Sequence, residues 1–109
     1  VLAGDDALTL PMMAVGGKGV ISVTSNIVPS EMAQLVKAFL SGRIDEARRI
    51  HFALSPLFTA LFYETNPIPV KTALGMMGKI DPELRLPLCA MATETKSQLT
   101  QVLKDAGLV

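Results

Sequence analysis

The stretch Gly16-Gly17-Lys18-Gly19-Val20-Ile21-Ser22-Val23-Thr24 sets the fold class. Its last six residues include four β-branched ones, which suit an extended chain. The apolar run Val20-Ile21 lacks clean alternation, as a strand covered on both faces does. Upstream, Val1-Leu2-Ala3 is a short apolar stub broken by Gly4. Between stub and strand, Asp5 and Asp6 offer carboxylates that accept free backbone N–H groups at a helix start. Leu8, Met12, Met13 and Val15 would ride on that helix, and Pro11 inside it predicts a kink or an irregular turn. The order is strand, helix, strand, at the length of a right-handed crossover between parallel strands. Residues 1–3 and 19–23 are the two strands this reading expects.

Beyond Asn26 the pattern is helical throughout. Pro29-Ser30-Glu31 starts a helix bearing Met32, Leu35, Val36, Phe39 and Leu40, with Gly42 as its stop. Ile44, Ala47, Ile50, Leu54, Leu57 and Leu61 form a stripe that stays in phase across Pro56, predicting one kinked helix. Asn66-Pro67-Ile68-Pro69 reads as a rigid turn into a short helix ending at Gly78. Asp81-Pro82-Glu83 reads as a helical turn and Leu86-Pro87-Leu88 as extended chain. Thr93 or Thr95 would cap a last helix closed by Gly107.

Composition bounds the rest. The chain has 109 residues, 50% of them hydrophobic, with ten basic and ten acidic side chains. That suffices for one folded unit but falls short of a (β/α)8 barrel of roughly 250 residues. Balanced charge leaves no electrostatic footprint for nucleic acid or an anionic membrane surface. No apolar run approaches the roughly 20 residues of a membrane span. One cysteine, Cys89, and one histidine, His51, make a metal site an unfavourable expectation. No cofactor is implied, and a cytoplasmic protein is expected. The chain opens without methionine, as a sequence entered just ahead of a buried strand would.

Among residues that could do chemistry, Gly16 to Gly19 precedes a strand and so lacks the strand-to-helix order of a phosphate loop. A Schiff-base lysine needs a desolvated site on a rigid element. None of Lys18, Lys37, Lys71, Lys79, Lys96 and Lys104 falls mid-strand. His51 reads as a surface or interface residue, and Cys89 as a small buried hydrophobe. Tyr63 and Glu64 lie at a helix end, where packing and helix termination are their common roles. Asp5 and Asp6 follow a strand end, where carboxylates either act on a substrate or cap a helix.

Four segments, taken in order, resemble one family. They are Gly4-Asp5-Asp6-Ala7; Gly16 through Asn26; Asn66-Pro67-Ile68-Pro69-Val70-Lys71; and Leu84-Arg85-Leu86-Pro87-Leu88. Together they are similar to the C-terminal part of dihydrodipicolinate synthases. The resemblance implies an α/β fold: strands seven and eight of a TIM barrel in residues 1–41, then a C-terminal helical extension in residues 42–109. It implies a lyase that condenses pyruvate with aspartate semialdehyde through an imine on a lysine of strand six. That lysine, with a proton-relaying tyrosine and threonine, would precede Val1. The resemblance places Ile21 against pyruvate through its backbone, Gly4 where the ligand approaches the chain, and Asp5 and Asp6 at the pocket mouth. A homo-oligomer, tetrameric in the family, is implied as well. The alternative is a non-catalytic helical interaction module or a truncated remnant.

Overall fold

In the computed structural model, which describes residues 1–109, Ala3 pairs in parallel with Val20. Lys18 N–H donates to the Val1 carbonyl at 2.9 Å, Ala3 N–H to Gly19 at 2.8 Å, and Ile21 N–H to Ala3 at 2.8 Å. One chain thus bonds alternately to residues on either side of its partner, the parallel pattern. The two predicted strands shrink to this single bridge. Each segment has one extended neighbour here, and each turns away at once: at Gly4 into a 3-10 turn, and after Val23 into another at Thr24–Asn26.

The first compact unit spans Val1–Phe58. Asp5 caps the 3-10 turn Asp6–Leu8 by accepting from Ala7 N–H at 2.9 Å. Helix α1 follows at Thr9–Ala14. The irregular turn expected at Pro11 lies instead ahead of α1. Pro11 is the third residue of the helix, where its missing N–H has no intrahelical acceptor to lose. Gly17 N–H bonds back to Met12 and Gly16 N–H to Met13, with Gly16 at φ 108°, a left-handed conformation that glycine adopts without steric cost. The same paired bonds close α2 at Gly42, α4 at Gly78 and α5 at Gly107.

Helix α2 covers Pro29–Leu40 and α3 covers Ile44–Ala60. The core of this unit gathers Met32, Leu35, Ile50 and Phe58, with Val20, Val36 and Leu54 packed against it. Each large side chain fully withdrawn from water there contributes about 1.5–3 kcal/mol. Val20 therefore faces the helices, while its neighbour Ile21 is 70% exposed in this chain. Helix α3 runs unbroken through Pro56, as the continuous stripe predicts. Pro56 removes the donor for the Phe52 carbonyl, on the side of the helix where Phe52 is exposed.

The second unit spans Thr59–Val109. It holds α4 (Ile68–Met76) and α5 (Thr93–Asp105), with Ile68, Val70, Ala73, Leu99 and Leu103 buried. A cis Asn66–Pro67 bond precedes α4, and Pro69 occupies its first turn. The helical turn predicted at Asp81–Glu83 does not form; residues 81–85 are irregular, with Pro82 lying against Gly75. Leu86-Pro87, predicted extended, is a turn with a cis bond, closed by Leu88 N–H on the Arg85 carbonyl at 3.0 Å. Cys89, expected buried, is exposed, because its segment joins no helix or strand that would fold it inward. The division at Phe58–Thr59 follows compactness and falls inside α3, later than the 41/42 boundary drawn between barrel and extension.

Neither Thr93 nor Thr95 caps α5 by the usual N-cap bond; its N-cap is Ala92. The Glu64 carboxylate does the work from outside the helix. Its Oε2 accepts from Ala92 N–H at 3.0 Å and from the Thr95 hydroxyl. A negative group at a helix N-terminus is favoured by the free N–H groups and the dipole.

Candidate functional site

The expected site residues lie at one end of the Ala3–Val20 pairing. Ile21 N–H bonds the Ala3 carbonyl, so Gly4, the next residue, leaves the pairing beside Ile21. Gly4 is exposed, and a Cβ built on it would meet nothing within 4 Å. Ile21 is exposed on the side away from the helical core. Within residues 1–109, backbone and side chain at this end are uncovered.

The two adjacent aspartates differ sharply. Asp5 is exposed, and its Oδ1 holds the following turn. Asp6 is only 1% exposed. Its Oδ2 accepts from Val23 N–H at 3.1 Å, Thr24 N–H at 2.9 Å and the Thr24 hydroxyl at 2.9 Å. Its carbonyl accepts from the buried Thr9 hydroxyl at 2.8 Å. Asp6 Oδ1 is buried without a donor. Asp6 thus caps the turn at Thr24–Asn26, whose N-cap residue Val23 makes no side-chain cap of its own. Capping explains both carboxylates, and Asp6 spends its charge across the pairing rather than on its own helix.

Thr24 is the partner that sequence reasoning missed. The sequence carries no local signal for it: Asp6 lies three residues beyond Ala3 and Thr24 four beyond its bridge partner Val20, both past the end of the pairing.

A groove of about 650 Å³ opens between the Gly19–Ser22 segment and α2. Val20, Met32, Val36 and Leu40 line it, with Lys18 and Lys37. Gly4, Asp5, Asp6 and Ile21 do not. Alternation explains this: the groove takes the side chains on Val20's side, and Ile21 points the other way.

None of the six lysines is buried; Lys71 alone is half-buried, and its ammonium bonds the Glu83 carbonyl. Asp81, Glu83 and Arg85 surround it in a shallow polar hollow. His51 is half-buried, its ring edge-on to Phe52 at 5.2 Å and tilted against Phe58 at 5.8 Å. That contact makes it a packing residue on one side of its ring. No helix is long and apolar enough to cross a membrane.

Two parallel segments joined through α1 and followed by α2, with Gly4 and Ile21 at the outgoing end, match the βα order of a barrel segment. The sequence profile of the Dihydrodipicolinate synthetase family matches residues 1–106, and the chain belongs to that family. Over its whole length it is 60% identical to the 4-hydroxy-tetrahydrodipicolinate synthase of Methanocaldococcus jannaschii, of which it covers 38%. It corresponds to the C-terminal part of such proteins. A crystal structure of a dihydrodipicolinate synthase matches the entire chain with a TM-score of 0.97 at 60% identity, over 38% of that protein. The chloride-inhibited dihydrodipicolinate synthase of Acinetobacter baumannii, crystallised with pyruvate, matches all of it with a TM-score of 0.95 at 39% identity, again over 38% of that protein. The chain thus spans well under half the length of the relatives it matches.

Proposed function

We propose that this chain supplies one wall of the pyruvate pocket in a Schiff-base lyase. In that reading pyruvate condenses with a lysine amine outside these residues, losing water to form an imine. The derived enamine then attacks the aldehyde of aspartate semialdehyde, a step of diaminopimelate and lysine biosynthesis in the cytoplasm. Residues 1–41 form the closing βαβα part of the barrel and residues 42–109 the helical extension, in a homo-oligomer. Ile21 borders pyruvate with its backbone, Gly4 lets the ligand come close, and Asp5 and Asp6 lie toward the mouth.

The observation that carries this reading is the Ile21–Ala3 hydrogen bond. It sets Gly4 beside Ile21 at the outgoing end of parallel segments, the face where barrels keep their chemistry. The pyruvate complex of the Acinetobacter baumannii relative supports the choice of ligand. None of the six lysines is buried, whereas a Schiff-base lysine needs a desolvated site, and this supports a nucleophile elsewhere.

The test is imine trapping. The full-length protein, treated with pyruvate and borohydride, should gain one adduct per chain on a lysine outside these 109 residues. The 109-residue chain alone, treated identically, should gain none in stoichiometric amount. An adduct at full occupancy on any lysine between Lys18 and Lys104 would overturn the assignment.

A further inference from the structure

The segments Ala3–Asp6 and Ile21–Thr24 are pinned together at both ends. At one end Ile21 N–H bonds the Ala3 carbonyl at 2.8 Å. At the other, the single oxygen Oδ2 of Asp6 takes three donors from Val23 and Thr24. Gly4 and Asp5 lie between the pins on one side, Ser22 on the other. Gly4 has no side chain to pack, and within residues 1–109 its flanking backbone bonds are what hold it. Its distance from Ile21 is set by the pins. Asp6 and Thr24 are 1% and 0% exposed, so the second pin is shielded from water and resists exchange with it.

We propose that Asp6 is a positioning residue: through Thr24 it fixes the Gly4 backbone against Ile21, and so fixes the shape of the pyruvate wall, without touching the substrate. The inference rests on the pyruvate reading of Gly4 and Ile21. A cap that only stabilises the fold would set melting temperature and nothing else. A positioning pin also sets how well pyruvate fits, because misplacing a bound reactant by about 1 Å costs on the order of a hundredfold in rate.

The experiment uses full-length protein, with Asp6→Asn, Thr24→Val and Thr24→Ser compared at a temperature well below each variant's own melting point. Steady-state constants are taken for both substrates, with borohydride trapping of pyruvate alongside. Asp6→Asn should raise the pyruvate KM roughly tenfold and lower kcat, short of the full loss that a 1 Å displacement brings. Thr24→Val should shift the same constants less, and Thr24→Ser, which keeps the hydroxyl, should return them to wild type. If Asp6→Asn fails to fold, the Thr24 pair carries the comparison. Lowered melting points with unchanged pyruvate constants in Thr24→Val and any folded Asp6→Asn reduce Asp6 to a cap and sink the proposal. If Ile21→Ala perturbs the pyruvate KM and those variants do not, the pocket reading survives and the positioning role alone fails. If wild-type protein traps no pyruvate, both fail.

Discussion

Asp6 Oδ2 and the Thr24 hydroxyl are 2.9 Å apart and both fully buried, joining the turn after the first extended segment to the turn after the second. Removing the carboxylate leaves Val23 N–H, Thr24 N–H and the Thr24 hydroxyl without their acceptor. A buried donor left unpaired costs about 1–3 kcal/mol. Asp6→Ala should therefore lower the unfolding free energy of the full-length protein by about 3 kcal/mol or more, and Thr24→Val by about 1 kcal/mol. Denaturant titration of the two variants checks the ranking. Equal losses would mean that the backbone donors find water.

Val20 and Ile21 are adjacent but face opposite ways, Val20 onto the core of Met32, Leu35, Ile50 and Phe58 and Ile21 away from it. Val20→Ala should cost about 1–2 kcal/mol through lost packing, while pyruvate constants stay at wild type. Ile21→Ala should raise the pyruvate KM. In the intact barrel it should also lose stability, by about 2–5 kcal/mol where the site is fully covered. Melting temperatures and pyruvate kinetics of the two variants separate these effects. Untouched kinetics in Ile21→Ala would leave that residue a core position only.

Glu64 holds the first turn of α5 through Ala92 N–H and the Thr95 hydroxyl. Glu64→Ala should destabilise the protein by about 1 kcal/mol, as loss of a helix cap does. Glu64→Gln, which keeps an acceptor oxygen but not the charge, should recover part of it. Hydrogen exchange at the N-terminal turn of α5 should accelerate in Glu64→Ala and much less in α4. Uniform acceleration would argue against a local cap.

Gly17 follows α1 so closely that an added Cβ would lie 2.8 Å from the Met12 carbonyl oxygen, a backbone atom that cannot swing aside. Gly17→Ala should cost about 1–3 kcal/mol, the range for forced overpacking. At Gly4 an added Cβ meets nothing within 4 Å among residues 1–109, so the same substitution adds no clash with this part of the protein and should cost less than at Gly17. Thermal melts of Gly17→Ala and Gly4→Ala test the contrast, and comparable melting points would contradict it.

Much of the helical framework was legible in the amino-acid order. Pro29 at the start of α2, the in-phase stripe through Pro56 in α3, and the glycines that stop four helices are local signals, and local backbone geometry obeyed them. The ordered segments around Gly4, Ile21 and Asn66 also carried the family. Where local signals competed with distant partners, the order of residues was silent. Pro11 fell in the first turn of its helix rather than in the interior, because the chain began that helix later than the aspartates suggested. Leu86-Pro87 turned instead of extending, and Cys89 came to the surface.

Tertiary structure alone decided what the two neighbouring aspartates do. Both are carboxylates one residue apart at a turn, and nothing local separates them. The parallel pairing of Ala3 with Val20 places Thr24 within reach of Asp6 and leaves Asp5 in solvent. The same is true of Glu64, whose partners lie 28 and 31 residues further along the chain. A helix stop or start is written in a few consecutive residues because backbone sterics and capping act over one turn. A buried acceptor finds its donors only after the chain has folded, because the partners it meets depend on which segments pack together.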